Sequence, residues 1–400
     1  MATLLQINVT ANWGSTGKIA EQIGLCAQAR GWDSYIAYGR MMNPSRNKLI
    51  KIGSMLDVFE HYAENRFFDN EGLASRRATK KFLKIVDEIK PDIVHLHNIH
   101  DHYVNYHLLF LYLLEKNIPV VWTQHDCWAF TGGCFHYSII GCDKWTTGCE
   151  KCPSLRGLFK DQTNYQYNLR KSLFSSLDNM TIVPVSEWLE GEVRRSIFKN
   201  KNISTILNSV DLQVFKPYPS NFIREKYHIG TSRFVLAVAS VWTSRKGFND
   251  YIKLATILSS DLKLVLVGLS KKQAQGLPSN IIVVPRTQNV IELVQLYTEA
   301  SIVLNLSYEE TFGLTTVEGY ACGTPGIVYN CTASPELVSA KTGIVVEAGD
   351  IDGVNTAIKD LLNRDQEKLK KFCRQRAIEK YDKDICFNKY IDLYNRLLFK

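Results

Sequence analysis

Short apolar runs alternate with stretches of helical spacing along the first 130 residues. Residues 3–9 predict a strand, 17–30 a helix and 34–38 a second strand. Residues 82–89 carry helical spacing that stops before Pro91, and 92–97 form a short apolar run ending in polar residues. A helix over 108–116 then leads to a strand at 119–123. The second half repeats the theme, with strands expected at 234–240, 262–267, 281–284, 302–306 and 326–329. Helices are expected near 247–258, 290–300 and 315–322, and a charged helical end over 365–400. Alternation of this kind predicts parallel sheets covered by helices on both faces. A polar, proline-terminated stretch at 207–217 reads as a linker. The expected domains are 1–210 and 211–380, with 381–400 a helix packing back on the first and a cysteine-rich insertion at 127–153.

Four hundred residues with 45% hydrophobic and 22% charged content suit two folded domains rather than a disordered chain. Uncharged apolar runs are too short to span a bilayer. Residues 1–10 lack a basic leader and read as a first strand, so a cytoplasmic chain is expected. The net charge of +8 is unevenly spread. It lacks the dense basic stripe with interleaved aromatics that nucleic-acid binding uses. The sharpest basic cluster, 76–84, has two readings: a solvated helix face, or a patch for anionic headgroups at the inner membrane.

Ten cysteines in a chain expected to be cytosolic argue against a disulfide framework. Four of them, Cys134, Cys142, Cys149 and Cys152, are clustered and close on a C-x2-C knuckle. Such spacing can set four thiolates around a structural zinc ion. The alternative is four free or redox-active thiols. The loop shows little regular pattern, and little apolar burial is expected of it.

Several loops carry candidate chemistry. The turn 12–18 tempts a P-loop reading, but Asn12 and Ile19 stand where that motif needs glycine and Ser or Thr. What remains is a strand-to-helix turn, with Gly14 and Gly17, whose amides can face an anion. Packing alone also explains such a turn. His95, His97, Asn98 and His100 end one expected strand, and His125 and Asp126 end the next. His125, beside Asp126, is the stronger candidate for a functional imidazole. In the second half, Arg245 and Lys246 sit on a turn suited to a diphosphate. Glu310 precedes a glycine turn and Glu318 lies one helical turn beyond it. Their carboxylates suit sugar and ribose hydroxyls.

Residues 310–325 resemble the E-x7-E region of the family 4 glycosyltransferases, retaining enzymes of GT-B fold. Residues 208–217 are similar to the family's N-G-V-D…F-x-P stretch, with Ser209 at the glycine. The first half resembles a bacterial exopolysaccharide and capsule subgroup over 14–18, 91–98 and 122–132, with the four cysteines following. The resemblance implies two Rossmann-like doubly wound α/β domains facing across a cleft. It implies that Glu318 holds the donor ribose, and that Glu310 with the backbone of Phe312, Gly313 and Leu314 holds donor sugar and phosphate. Lys246 would face the diphosphate and His125 the donor sugar. His125, Glu310 and Lys246 are therefore the expected catalytic set, with His97, Asn98 and Asp126 on the acceptor side. Many members carry Gly-Arg where this chain has Ser240-Val241, and Arg245 is the candidate replacement. The implied reaction is metal-independent transfer, with retention, from a nucleotide-diphosphate sugar to a lipid-linked or oligosaccharide acceptor. The alternatives are a non-catalytic nucleotide-sugar or polysaccharide-binding protein, and a nucleotide-sugar epimerase.

Overall fold

The computed structural model describes residues 1–154 and 157–399. The chain divides into two compact units, Met1–Ile206 with Phe387–Lys400, and Leu207–Cys386. The first unit holds strands β1 (Thr3–Asn8), β2 (Asp33–Tyr38), β3 (Lys48–Lys51), β4 (Ile93–Leu96), β5 (Val120–Gln124), β6 (Met180–Pro184) and β7 (Asn202–Ile203). They pair in the order β3-β2-β1-β4-β5-β6-β7, all parallel. Its helices are α1 (Gly14–Ala29), α2 (Met55–Phe68), α3 (Arg76–Ile89), α4 (Tyr106–Lys116), α5 (Thr163–Ser175) and α6 (Glu187–Arg195).

The second unit opens with α7 (Asn221–Lys226) and holds β8 (Arg233–Val238), β9 (Leu262–Val267), β10 (Ile281–Val284), β11 (Ile302–Asn305), β12 (Gly326–Tyr329) and β13 (Gly343–Val346). Their order is β10-β9-β8-β11-β12-β13, again all parallel. Helices α8 (Phe248–Ile257), α9 (Val290–Glu299), α10 (Leu314–Ala321), α11 (Ser334–Leu337), α12 (Ile351–Asn363), α13 (Gln366–Tyr381) and α14 (Lys383–Leu398) complete it, α14 running on into the first unit.

Strands buried on both faces read as continuous apolar runs rather than alternating ones. Every residue of β4, β5, β6, β11 and β12 is buried. In each sheet the strand order reverses once, between β1 and β4 and between β8 and β11. Ligands of doubly wound sheets bind at that switch point, beyond the carboxyl ends of the strands.

The end of α14 belongs to the core of the first unit, where Phe387, Tyr390, Ile391 and Tyr394 pack with Leu4, Ile23, Ile93 and Val121. It also satisfies a buried imidazole. The Tyr394 hydroxyl lies 2.6 Å from His95 Nδ1, and Thr123 Oγ1 lies 2.7 Å from Nε2. The Tyr390 hydroxyl completes the set 3.0 Å from Thr123 Oγ1.

The hydrophobic pattern over 40–75 predicted no element, yet β3 and α2 form there. Only Val58 and His61 of α2 are buried, so no inward apolar stripe marks the helix.

Replacing Tyr394 by Phe leaves His95 Nδ1 buried without that partner. We expect a loss of about 1–3 kcal/mol. In urea unfolding the midpoint should fall while the slope is unchanged.

Candidate functional site

In the second unit, the turn after β8 and the loop after β11 are tied together. A short 3-10 turn, Ser244–Lys246, ends at Gly247 in the left-handed region with φ +71°. A Cβ at Gly247 would stand 2.1 Å from the Leu306 carbonyl oxygen, so only glycine lets the two loops approach this closely. The Tyr308 N–H donates to the Arg245 carbonyl at 2.9 Å. The Lys246 ammonium donates to Glu310 Oε1 at 2.5 Å, with both side chains partly exposed. The Glu310 N–H donates to Thr332 Oγ1 at 2.9 Å. Among the described residues no carboxylate lies within ion-pair distance of Arg245, leaving its charge uncompensated on this turn.

Gly313, at φ +99°, precedes α10 and offers no side chain to cap it. The first amides of that helix therefore face the loop without a side-chain acceptor from the cap, a setting that suits an anion. The Phe312 side chain is buried against Tyr381, leaving its backbone for any ligand. Glu318 is half-buried, and its Oε2 accepts from the Tyr297 hydroxyl at 2.7 Å. A buried aspartate, Asp250, accepts from the Tyr308 and Tyr329 hydroxyls at 2.7 and 3.0 Å and so fixes the loop that carries Glu310.

In the first unit, the ends of β1, β4 and β5 meet at the other switch point. Gly14 opens α1 at φ +66° with nothing within 4 Å of an added Cβ. Gly17 is different, because a Cβ there would sit 2.7 Å from Thr10 Oγ1. Close packing of helix on loop accounts for it.

A hydrogen-bond chain sets the tautomer of His125. Gln6 Nε2 donates to the Ala20 carbonyl at 2.8 Å, which turns Oε1 toward His97 Nε2 at 3.1 Å. His97 Nε2 must then donate, so its Nδ1 accepts from His125 Nε2–H at 3.0 Å. His125 is left with Nδ1 as an acceptor. Burial pushes its pKa down to about 4 and holds those of His95 and His97 well below the usual imidazole value. His125 is thus a neutral imidazole at physiological pH.

The Asp126 carboxylate bonds to other groups, while its charge raises the His125 pKa against the larger lowering by burial. Its Oδ2 accepts from His100 Nε2 at 2.9 Å and its Oδ1 from the Trp128 N–H at 2.9 Å. Burial alone would lower the His100 pKa, but the charge of Asp126, joined by Asp101, raises it to about 10.

The four cysteines, Cys134, Cys142, Cys149 and Cys152, line one cavity of about 20 Å3, room for a single small occupant. The Cys149 Sγ accepts from the Gly132 N–H at 3.3 Å, and none of the four is in a disulfide. As the side chains stand, no group of three His, Cys, Asp or Glu among the described residues is placed to hold a metal ion. Asp-x-Asp triplets begin at Asp350 and Asp382, and both sit at helix starts. Asp350 caps α12 through the Gly353 N–H, and Asp382 accepts from the Asp384 N–H ahead of α14.

Residues 18–214 match the family described as Glycosyltransferase Family 4, and residues 219–380 match Glycosyl transferases group 1. The chain belongs to glycosyltransferase family 4. An N-acetyl-alpha-D-glucosaminyl L-malate synthase of Bacillus anthracis is 25% identical over 316 residues, covering 75% of this chain and 74% of the relative. A putative colanic acid biosynthesis glycosyl transferase, WcaC, of Escherichia coli is 26% identical over 38% of this chain and 40% of its own. An N,N'-diacetylbacillosaminyl-diphospho-undecaprenol alpha-1,3-N-acetylgalactosaminyltransferase of Campylobacter jejuni is 24% identical over 60% and 69%. Among solved structures, sucrose-phosphate synthase from Thermosynechococcus elongatus aligns with TM-score 0.74, 18% identity and 99% of both chains. Anabaena Alr3699/HepE in complex with UDP-glucose aligns with TM-score 0.66, 14% identity, and 99% and 100% coverage. Both share the GT-B arrangement of two Rossmann-like domains.

Within this glycosyltransferase, the acceptor-side candidates differ in their surroundings, and two expectations, for His97 and for the cysteine-rich loop, need correction. His97 is only 2% exposed and braces His125 from behind, so it is a positioning residue rather than an acceptor contact. Asp126 is engaged by His100 and a backbone amide, and Asn98, half-buried, keeps only its side chain available beside backbone bonds to Asn8 and Tyr103. The cysteine-rich loop does bury apolar surface, because Trp145 packs against Tyr137 and Phe130 at 4.9 and 5.2 Å. Tyr297, Asp250 and Thr332 were not legible as site residues. Each acts across strands or helices distant in sequence, and no local motif marks them.

The His100–Asp126 pair gives a pH dependence with a definite sign. The imidazole is held charged in the folded state up to about pH 10, whereas unfolded it titrates near 6.5. Its contribution is complete below 6.5 and is lost as pH rises toward 10. Stability from this pair therefore falls steadily between pH 7 and 9. His100→Gln should start less stable at pH 7 and lack this slope, as read by urea unfolding at both pH values.

Proposed function

We propose that this glycosyltransferase moves a sugar, with retention, from a nucleoside-diphosphate sugar to a lipid-linked or oligosaccharide acceptor in capsular or exopolysaccharide assembly. The observation that carries the reading is the joined turn at the β8/β11 switch point, where Lys246 meets Glu310 beside Arg245, in a unit whose uncapped helix α10 starts four residues on and carries Glu318. Cations and amides suit the diphosphate, and the carboxylates suit hydroxyls of sugar and ribose. The UDP-glucose seen in the Anabaena structure supports a donor of this class. The diphospho-undecaprenol in the name of the Campylobacter relative supports a lipid-linked acceptor, and the colanic acid role named for WcaC supports the polysaccharide setting.

In the proposed step the bond from the anomeric carbon to the diphosphate oxygen breaks, and its electron pair leaves with the diphosphate. Arg245, Lys246 and the α10 amides stabilise that charge as it develops. An acceptor hydroxyl oxygen bonds the anomeric carbon from the same face and passes its proton to the departing phosphate. His125 Nδ1, neutral and accepting, takes a hydrogen bond from a donor-sugar hydroxyl.

If Glu318 accepts the ribose hydroxyls, Glu318→Ala should weaken UDP binding by about 1.5–3 kcal/mol in calorimetry. Glu318→Gln keeps an acceptor for the Tyr297 hydroxyl and separates ligand loss from fold loss. Lys246→Ala should lower kcat for transfer more than it lowers UDP affinity. Unchanged UDP affinity in both Glu318 variants would remove that residue from the site.

The same reading gives the cysteine cluster a structural zinc ion held by Cys134, Cys142, Cys149 and Cys152, whose side chains would turn into their shared cavity. Four thiolates would close the coordination sphere and leave no position for chemistry. Elemental analysis should find about one zinc per chain, lost in Cys149→Ser and in Cys152→Ser. A metal-free, fully active preparation with all four thiols titratable overturns the assignment.

A further inference from the structure

Helix α2 is built inside out. Its inward side chains are Val58 and His61, and His61 bonds Ser75 Oγ at 2.8 Å and accepts from the Gly72 N–H at 2.8 Å. Its apolar side chains face solvent. Met55, Leu56, Phe59 and Tyr62 recur at helical spacing, with Leu56 75% and Phe59 68% exposed. Phe67 and Phe68 continue the stripe at the last turn.

A second segment is fixed onto that turn. The N–H groups of Leu158 and Phe159 donate to the carbonyls of Arg66 and Phe67 at 2.9 and 3.0 Å. Gln162 donates to the Phe68 carbonyl at 2.6 Å and, through its N–H, to Asp69 at 2.9 Å. These bonds satisfy the orphan carbonyls of the helix end. They also hold Phe159, 75% exposed, stacked on Phe67 at 5.7 Å and 10°. An aromatic patch held open to solvent by hydrogen bonds is an interaction surface, not a stray exposed residue.

The adjoining helix supplies charge. Arg76, Arg77, Lys80, Lys81 and Lys84 of α3 are all exposed, and none is in an ion pair among the described residues. The two helices are tied together: His61 of α2 bonds Ser75, which immediately precedes α3, and a Cβ on Gly53, just ahead of α2, would lie 2.9 Å from the Ala78 Cβ of α3. Residues 160–162, which follow Phe159, share with α3, α4 and α5 a groove of about 760 Å3 lined by Arg76, Lys80, Lys160 and His107, with Asp161 the opposing charge. The carboxylates on α2 are partly committed: Asp57 caps the helix with Ser54, and Glu64 accepts from Asn70, while Glu60 stays exposed.

We propose that α2, the first turns of α3 and residues 157–162 form one face that docks on an anionic lipid bilayer. The aromatic and aliphatic side chains enter the interface while the cations meet lipid phosphates, the groove receiving one headgroup. Apolar area and cations on one face match a charged bilayer on both counts. The inference deepens the proposed transfer to a lipid-linked acceptor by naming how the enzyme reaches it.

The test is co-sedimentation of the full chain with phosphatidylcholine vesicles, with and without phosphatidylglycerol. Binding should require the anionic lipid and weaken with salt. Arg76→Glu with Lys80→Glu should weaken it at least about tenfold, and Phe59→Ser with Phe159→Ser should weaken it comparably. All four positions are exposed, so UDP affinity and thermal midpoint should be unchanged, which separates failure here from failure of the donor reading. Equal binding to neutral vesicles, or no binding at all, overturns the proposal. So does concentration-dependent dimerisation that the Phe59 and Phe159 substitutions abolish, since the face would then be covered by a second copy.

Discussion

Parallel strand pairing is the constraint on which the rest depends. Two parallel neighbours cannot be joined by a tight turn, so every connection must cross back through a helix or a long loop. All strands of a sheet then end at the same edge, and the polar loops collect there. Where the order reverses, between β1 and β4 and between β8 and β11, adjacent crossovers leave on opposite faces and a crevice opens. The residues with chemistry in each unit sit at those two places. Most of the helices elsewhere cover apolar faces, α2 being the exception.

Beneath the first crevice, desolvation sorts the histidines. Burial keeps His95, His97 and His125 neutral, outweighing at His125 the opposing charge of Asp126. His100, a few residues away, meets Asp126 and Asp101 and is held charged. Four imidazoles within a short stretch of sheet edge thus divide into one structural cation and three neutral hydrogen-bonding groups. The neutral set is ordered by Gln6, whose amide orientation is fixed from α1. A substitution in the core strand β1 would therefore reach the crevice without touching any ligand.

Much of this was legible in the sequence, for physical reasons that differ by element. β4, β5 and β11 are buried on both faces, and continuous apolar runs announce them. The turns at Gly247 and Gly313 carry glycine because the backbone is left-handed there. Helix α2 was illegible because its apolar stripe faces outward and its buried positions include a histidine. The hydrogen-bond partner of Asp126 was illegible for a related reason. Beyond the end of a strand, adjacent residues turn to different sides, and the partner of Asp126 came from the β4 loop rather than from its sequence neighbour. Tyr297 and Asp250 were missed because positioning contacts of this kind cross the fold and leave no local pattern.

The cationic turn of the second unit shows how much a single ion pair changes the reading of a motif. Counted by residue type, Arg245 and Lys246 bring two positive charges to a diphosphate. Glu310, 2.5 Å from the lysine, cancels one of them. The lysine gains a fixed direction from that contact, and an incoming phosphate must share it with the carboxylate or displace it. Arg245 has no such competitor within ion-pair distance among the described residues. Its carbonyl is anchored by the Tyr308 N–H, so its side chain starts from a fixed backbone. The net charge available on the turn is therefore that of the arginine. The turn that opens with Ser240-Val241 thus carries its arginine at its far end, as Arg245.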